Sequence, residues 1–141
     1  YTLTGVGEVA GRLRLWEWAG GRARPAGDDW AAASDVRAVA PGPAGRWLLV
    51  GTPPSQPTGL RDVRTGELVR ELPHPTTGTA AAVHPSGELA ATGGRDGSVR
   101  VWNPTDGRQV GRTSYHADRV TQVAFGTGDL DGTVITASHD R

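Results

Sequence analysis

The residues of this chain that could do acid–base chemistry are His74, His84, His116 and His139, with Asp, Ser and Thr scattered between them. A serine hydrolase would need one of those imidazoles beside a serine raised on a tight turn, and no Gly-x-Ser-x-Gly run occurs. There is no cysteine and no His-Glu-x-x-His, and the histidines lack ligand spacing, so no metal is expected. Asp129-Leu-Asp131-Gly132 resembles the opening of a calcium loop. It lacks the further oxygen ligands and the distal Glu, and reads as a polar insertion lengthening a turn. Gly5-Val-Gly7-Glu-Val-Ala-Gly11 has glycines like those of a dinucleotide loop, but that loop must open a helix whose N-terminus meets the pyrophosphate. Here Arg12-Leu-Arg-Leu-Trp16 follows and alternates as a strand, and the glycine spacing is one residue too long. No cofactor is expected. Arg12, Arg14, Arg22 and Arg24 flank Trp16 and Trp18, a mixture that could grip single-stranded nucleic acid. Leu13 and Leu15 interleave with the arginines as in any half-buried strand, however, and 15 basic residues cancel 15 acidic ones. No nucleic acid is expected either.

The elements that must position these groups are short and numerous. The 141 residues include 21 glycines and 10 prolines, which favours strands cut by turns. No apolar run approaches the roughly 20 residues that span a bilayer, and no secretory signal is visible. A cytoplasmic location is the expectation. All 15 basic residues are arginine, a bias that points to a GC-rich coding sequence and a bacterial source. With Tyr1 first and no methionine, the chain reads as cut from something longer.

A repeat runs through it. Val99 and Val101 alternate with Ser98 and Arg100, and Asp96-Gly97 marks a hairpin between two strand-like runs. His74 and Val83 recur as His116 and Phe125, both at an offset of 42 residues, and Asp140 falls where Asp96 fell. Asp62-Val-Arg-Thr-Gly66 precedes Asn103-Pro-Thr-Asp-Gly107 by 41, and Trp16-Glu-Trp-Ala-Gly-Gly21 lies a further 45 upstream. A period of about 40–45 residues with some four strands per unit is that of a propeller blade.

Val99-Arg-Val-Trp-Asn103 resembles the strand that ends in the Trp-Asp dipeptide of WD40 repeats. His74 and His116 resemble the histidine of that family's Gly-His pair, although Pro73 and Tyr115 replace the glycine. The resemblance implies an all-β fold, a partial WD40-type β-propeller of four-stranded antiparallel blades whose ring this chain alone does not close. With strands labelled A to D, residues 1–24 hold strands B to D of one blade (B at about 2–7, C at 12–17). Residues 35–72 form a second blade, 78–113 a third, and 119–141 strands A and B of a fourth. The resemblance further implies a buried tetrad of His, Ser or Thr, turn Asp and strand-C Trp. It would be His74, Thr92, Asp96 and Trp102 in the third blade and His116, Thr136 and Asp140 in the fourth. Burial of an imidazole and an indole N–H demands such a network. The second blade departs from the pattern: Trp30 stands for the His, Thr52–Thr58 has no Asp, and Arg61 stands for the Trp. It should rest on apolar packing, with Trp47-Leu-Leu-Val50 as strand B. In the first blade the turn Val9-Ala-Gly11 also lacks Asp, so the N-terminal half should be the less rigid.

In WD-repeat proteins the resemblance implies docking of proteins or peptides through the loops at one end of the blades. The matching exposed residues are Arg95, Tyr115, Asp118, Arg119 and His139. The function expected is a non-catalytic interaction scaffold, a regulatory or docking part of a larger bacterial protein, with self-association a possible way to complete the ring. The alternative is a piece of a propeller-fold enzyme whose catalytic residues lie outside this chain. Acidic or His groups on strand A would favour the enzyme, and residues 35–41, 78–84 and 119–125 offer only Asp35 and His84.

Overall fold

The structure, a computed structural model, describes residues 2–3, 12–26, 29–31, 35–54 and 56–140. The described residues form antiparallel strands joined by turns and two short 3₁₀ segments, Pro43–Gly45 and Gly128–Leu130. The first unit holds β1 (Thr2–Leu3), β2 (Arg12–Leu13), β3 (Leu15–Ala19), β4 (Arg22–Pro25) and β5 (Trp30–Ala31), with β1 beside β3, β3 beside β4, and β2 beside β5. The second is a four-stranded meander of β6 (Ala38–Pro41), β7 (Trp47–Gly51), β8 (Gly59–Asp62) and β9 (Leu68–Glu71). The third repeats it with β10 (Gly78–Val83), β11 (Ala90–Gly94), β12 (Ser98–Trp102) and β13 (Gln109–Tyr115). β14 (Val120–Phe125) and β15 (Val134–Ser138) form a two-stranded fourth sheet. β13 thus runs two residues past the end expected from the sequence. Of the expected first strand B only Thr2–Leu3 is described. The Gly5–Gly11 run and its Val9-Ala-Gly11 turn lie outside the described residues.

Turn chemistry explains where the strands end. Gly97 takes φ +81°, the left-handed conformation the β11–β12 hairpin requires, and its missing Cβ leaves room for the carbonyls of His116 and Asp118. Asp96 Oδ1 accepts from Ser98 N–H at 3.1 Å and closes the turn.

The sheets stack face against face, and period-two alternation sends neighbouring side chains to opposite sides. Leu48 and Val50 join Leu13 in one cluster between the first and second sheets. Leu49, between them in sequence, turns the other way and packs with Leu60, Leu72, Ala90 and Trp102 between the second and third. Ala80, Ala82, Ala91, Val99, Val120 and Val123 fill the third interface. The second sheet does hold an apolar core, and it adds a polar device of its own. Thr52 Oγ1 donates to Gln56 O at 2.9 Å, and Thr58 Oγ1 accepts from Thr52 N–H at 3.3 Å, bracing the Asp-less turn. Arg61 Nη1 donates to Gly66 O at 3.1 Å. Trp30 pairs with Leu13 and packs against Gly66.

β6, β10 and β14 approach one another and line a shared concave wall, whereas β9 and β13 are largely exposed. Small residues crowd the converging side: Gly51 meets the Gly78 carbonyl, and Ala80 and Ala82 face Val120 and Val123. Thr79 Oγ1 donates to Val120 O at 2.6 Å, tying the third sheet to the fourth.

Candidate docking face and buried polar groups

The expected quartets have different fates in the two sheets that carry them. In the fourth, His116 Nε2 lies 2.8 Å from Thr136 Oγ1 and Nδ1 lies 3.0 Å from Asp140 Oδ2. The His116 bond, followed by the Ala117 N–H, holds the Asp140 carboxyl below the usual carboxylate range. In the third sheet the quartet is split, which corrects the expectation of one continuous network. Trp102 Nε1 donates to buried Thr92 at 2.8 Å, but His74 sits apart, with Nε2 3.4 Å from Ser98 Oγ. Ser98 Oγ donates in turn to Asp96 Oδ1 at 2.6 Å.

The reason lies at Gly94. The His74 ring occupies the space a Cβ would fill there, beside Asp96 and Ser98. The matching residue of the fourth sheet is Ser138, which has a side chain, and there the imidazole stays over Thr136. Ser98 was missed by the sequence reading, although its place two residues after the turn Asp is a visible signal.

Three buried side-chain polar atoms lack a partner among the described residues: His74 Nδ1, Thr76 Oγ1 and Arg100 Nε. Burial pushes the His74 imidazole below its ordinary range, Asp96 opposes this and Arg100 adds to it. For Asp96 burial favours the neutral acid, but the bonds from Ser98 outweigh it and the carboxyl stays low.

The exposed candidates gather where β13 passes into β14. Tyr115 is 68% exposed. Arg119 Nη2 donates to His139 Nε2 at 3.0 Å. Asp118 Oδ1 accepts from Arg119 N–H at 2.6 Å, and its carbonyl accepts from Ser138 Oγ at 2.9 Å. Arg95 is exposed on the hairpin beside this link, since His116 N–H donates to Gly97 O at 3.0 Å. The backbone therefore brings all five to one region. Among them, Arg119 and His139 share a side-chain hydrogen bond.

A Ser–His–Asp run does exist, built from His84 and Asp131, which the sequence offered for other roles, and from Ser86. His84 Nε2 lies 2.9 Å from Asp131 Oδ1 and Nδ1 lies 2.8 Å from Ser86 Oγ. Ser86 is two residues from His84 in a tight turn, and its N–H also points at Nδ1. Asp131 is largely exposed. Phe125 stands edge-on to the imidazole at 5.3 Å. This arrangement pins the insertion Gly126–Thr133 of the fourth sheet to the matching turn of the third.

The profile described as "WD domain, G-beta repeat" matches residues 66–103, which run from the second sheet's last turn through β12. That stretch is similar to a WD40 repeat. WD repeat-containing protein 37 of Homo sapiens is 36% identical over 85 residues, 58% of this chain and 17% of the relative. Pre-mRNA-processing factor 19 of Bos taurus is 26% identical over 80 residues, 55% of this chain and 16% of the relative. The chain thus spans about a sixth of the length of these relatives. Two computationally designed proteins share the fold of this chain. Ika4 matches with a TM-score of 0.70 at 21% identity, over 97% of this chain and 78% of Ika4. Ika8 matches at 0.68 and 22%, over 96% and 39%. No described helix is long and apolar enough to cross a membrane.

Proposed function

We propose that this chain is part of a WD40-type scaffold that docks a protein or peptide partner, within the regulatory or docking part of a larger, cytoplasmic bacterial protein. The observation that carries the reading is how its chemically capable groups are spent. His116, Thr136 and Asp140 bond one another, His74 and Asp96 meet through Ser98, and His84 clamps two sheets. Strand-A residues lining the concave wall include no carboxylate and no imidazole among the described residues, and Asp35 is paired with Arg37 at 2.6 Å. That weighs against the enzyme alternative. What is left exposed is Tyr115, Arg95 and the Arg119–His139 pair, and Tyr and Arg are residue types that anchor interfaces. Among the described residues β15 pairs only with β14. Its far edge is where another strand of the protein, or a second copy, would add.

The test is co-purification of partners with the full protein carrying Tyr115→Ala and Arg119→Glu, against Val69→Ala on the outer strand β9 as control. Loss of at least about tenfold in recovered partner, equal to roughly 1.4 kcal/mol of binding, is expected with an unchanged melting midpoint. Equal recovery from variant and control would refute it.

A further inference from the structure

Thr92 receives the indole N–H of Trp102 because β11 and β12 pair in one register, with Ala90 opposite Trp102 and Thr92 opposite Arg100. Thr136 is the equivalent of Thr92, since Val123 faces it across the fourth sheet as Ala81 faces Thr92 in the third. It already meets His116, but a hydroxyl has two lone pairs, so at least one remains to accept. Among the described residues β15 pairs only with β14, so no strand on its far side brings an indole. Thr136 is accordingly half-buried and Ile135 is 49% exposed, where Thr92 and Ala91 are fully buried.

The first sheet has the opposite shortage. Arg12 faces Ala31, Leu13 faces Trp30 and Trp16 faces Pro25. In the third sheet Ser98 faces Tyr115, Val99 faces Ser114 and Trp102 faces Gln109 in the same arrangement. Trp16 therefore stands where Trp102 stands, and Arg14 where Arg100 stands. On the other flank of β2 and β3 the described pairing is Thr2 with Trp16 and Leu3 with Leu15, against four such pairs between β11 and β12.

We propose that β15 of one copy pairs with β2 and β3 of a second copy, so that two chains build one four-stranded sheet. The third sheet's register sets Val134 opposite Trp16 of the second copy and Thr136 opposite its Arg14. That Trp16 donates its indole N–H to Thr136 and completes the quartet with His116 and Asp140. Ile135 comes opposite Leu15 of the second copy and joins the cluster of Leu13, Leu48 and Val50 there. Four cross-strand pairs replace the two that β1 gives up. Within one chain two whole sheets stand between β3 and β15, so a single copy does not make this contact with itself. Two copies joined at both ends hold six four-stranded sheets, within the roughly four to eight of closed propellers, and the two junctions are related by a two-fold axis. The inference rests on the open β15 edge of the docking reading but uses no residue of the Tyr115–Arg119 region, so the two can fail separately.

The experiment mixes two differently tagged forms of the full protein, one carrying Leu15→Cys and the other Ile135→Cys, with a short bis-maleimide. Opposed residues of paired strands have Cβ atoms about 5 Å apart, so a cross-link joining the two tags through these cysteines is expected. Sedimentation equilibrium should show a dimer. Trp16→Phe and Thr136→Val should each weaken it about three- to tenfold per junction, the worth of one hydrogen bond. Combined, they should cost little more than either alone, because both break the same bond. Tyr115→Ala should leave the dimer unchanged. A monomer without the cross-link overturns the proposal, as does a cross-link confined to one chain when both cysteines are placed in the same copy. Additive losses for Trp16→Phe and Thr136→Val would overturn it equally. Should those two variants fail to fold, the cross-link, which leaves both residues intact, decides.

Discussion

His74 and His116 occupy equivalent places in consecutive repeats yet hold different partners, and the position beneath the ring decides which. Gly94→Ala puts a methyl where the His74 ring lies. Overpacking of this kind costs about 1–3 kcal/mol, and thermal or denaturant unfolding will register it. The split of the third quartet has a sharper consequence. Trp102→Ala should cost about 3–5 kcal/mol through the cavity it leaves, plus about 1 kcal/mol for the lost Thr92 bond. Because His74 shares no bond with that pair, the losses for Trp102→Phe and His74→Gln should nearly add in a double-mutant cycle. A coupling above about 1 kcal/mol would show that the two halves act as one network. Acidification acts on the other half. The His74 imidazole takes a proton less readily in the fold than in the open chain. Its contribution is therefore full above the unfolded value, about 6.5, and is lost as pH falls through that range toward the lower folded value. Asp96 and Asp140, also held low, have the same sign and lose their contributions below about pH 4. Melting midpoints should descend in two stages, and His74→Gln should flatten the upper one.

Among the elements, those most legible in the sequence are the ones set by local turn chemistry. Asp96-Gly97, Thr105-Asp-Gly107 and the alternation through Val99 and Val101 specify β11 to β13 with little help from the rest of the chain. Other features depend on which element arrives from a distance. Nothing near His84 in sequence announces that Asp131, 47 residues on, will meet it across a sheet boundary. Nor does the lone Gly94 reveal that an imidazole from the preceding link will settle on it, which is why the third quartet was expected whole. The second sheet lacks the Asp, His and Trp of the pattern, so its boundaries had to be read from Trp47-Leu-Leu-Val50 and from the likeness of Asp62-Val-Arg-Thr-Gly66 to Asn103–Gly107. Its paired threonines, 52 and 58, were invisible as a substitute brace. The His84–Asp131 clamp itself is modest, because Asp131 is open to water. Asp131→Ala should cost less than about 1 kcal/mol, while hydrogen exchange in Val134–Ser138 accelerates. Unchanged exchange would show that the contact carries no constraint.

Across the whole molecule, the second and third sheets are covered on both faces by their neighbours, and stability passes from one sheet to the next through side-chain packing. Leu49, fully buried between the second and third sheets, is the natural probe. Leu49→Ala should cost about 2–5 kcal/mol. The loss should appear as faster exchange in β6 to β9 and in the first sheet before it reaches β14 and β15. Uniform acceleration would mean that the stack melts as a single unit.

The units are thin where Gly51, Gly78, Ala80 and Ala82 meet their neighbours, and thick where Trp47, Leu72 and Trp102 stand. Like stones cut for an arch, such pieces carry the radius of the vault in their own taper. A few methyl groups added along the narrow side would shallow the bend between neighbours without rewriting any strand, so circumference can drift in evolution far more cheaply than the pattern of the pieces.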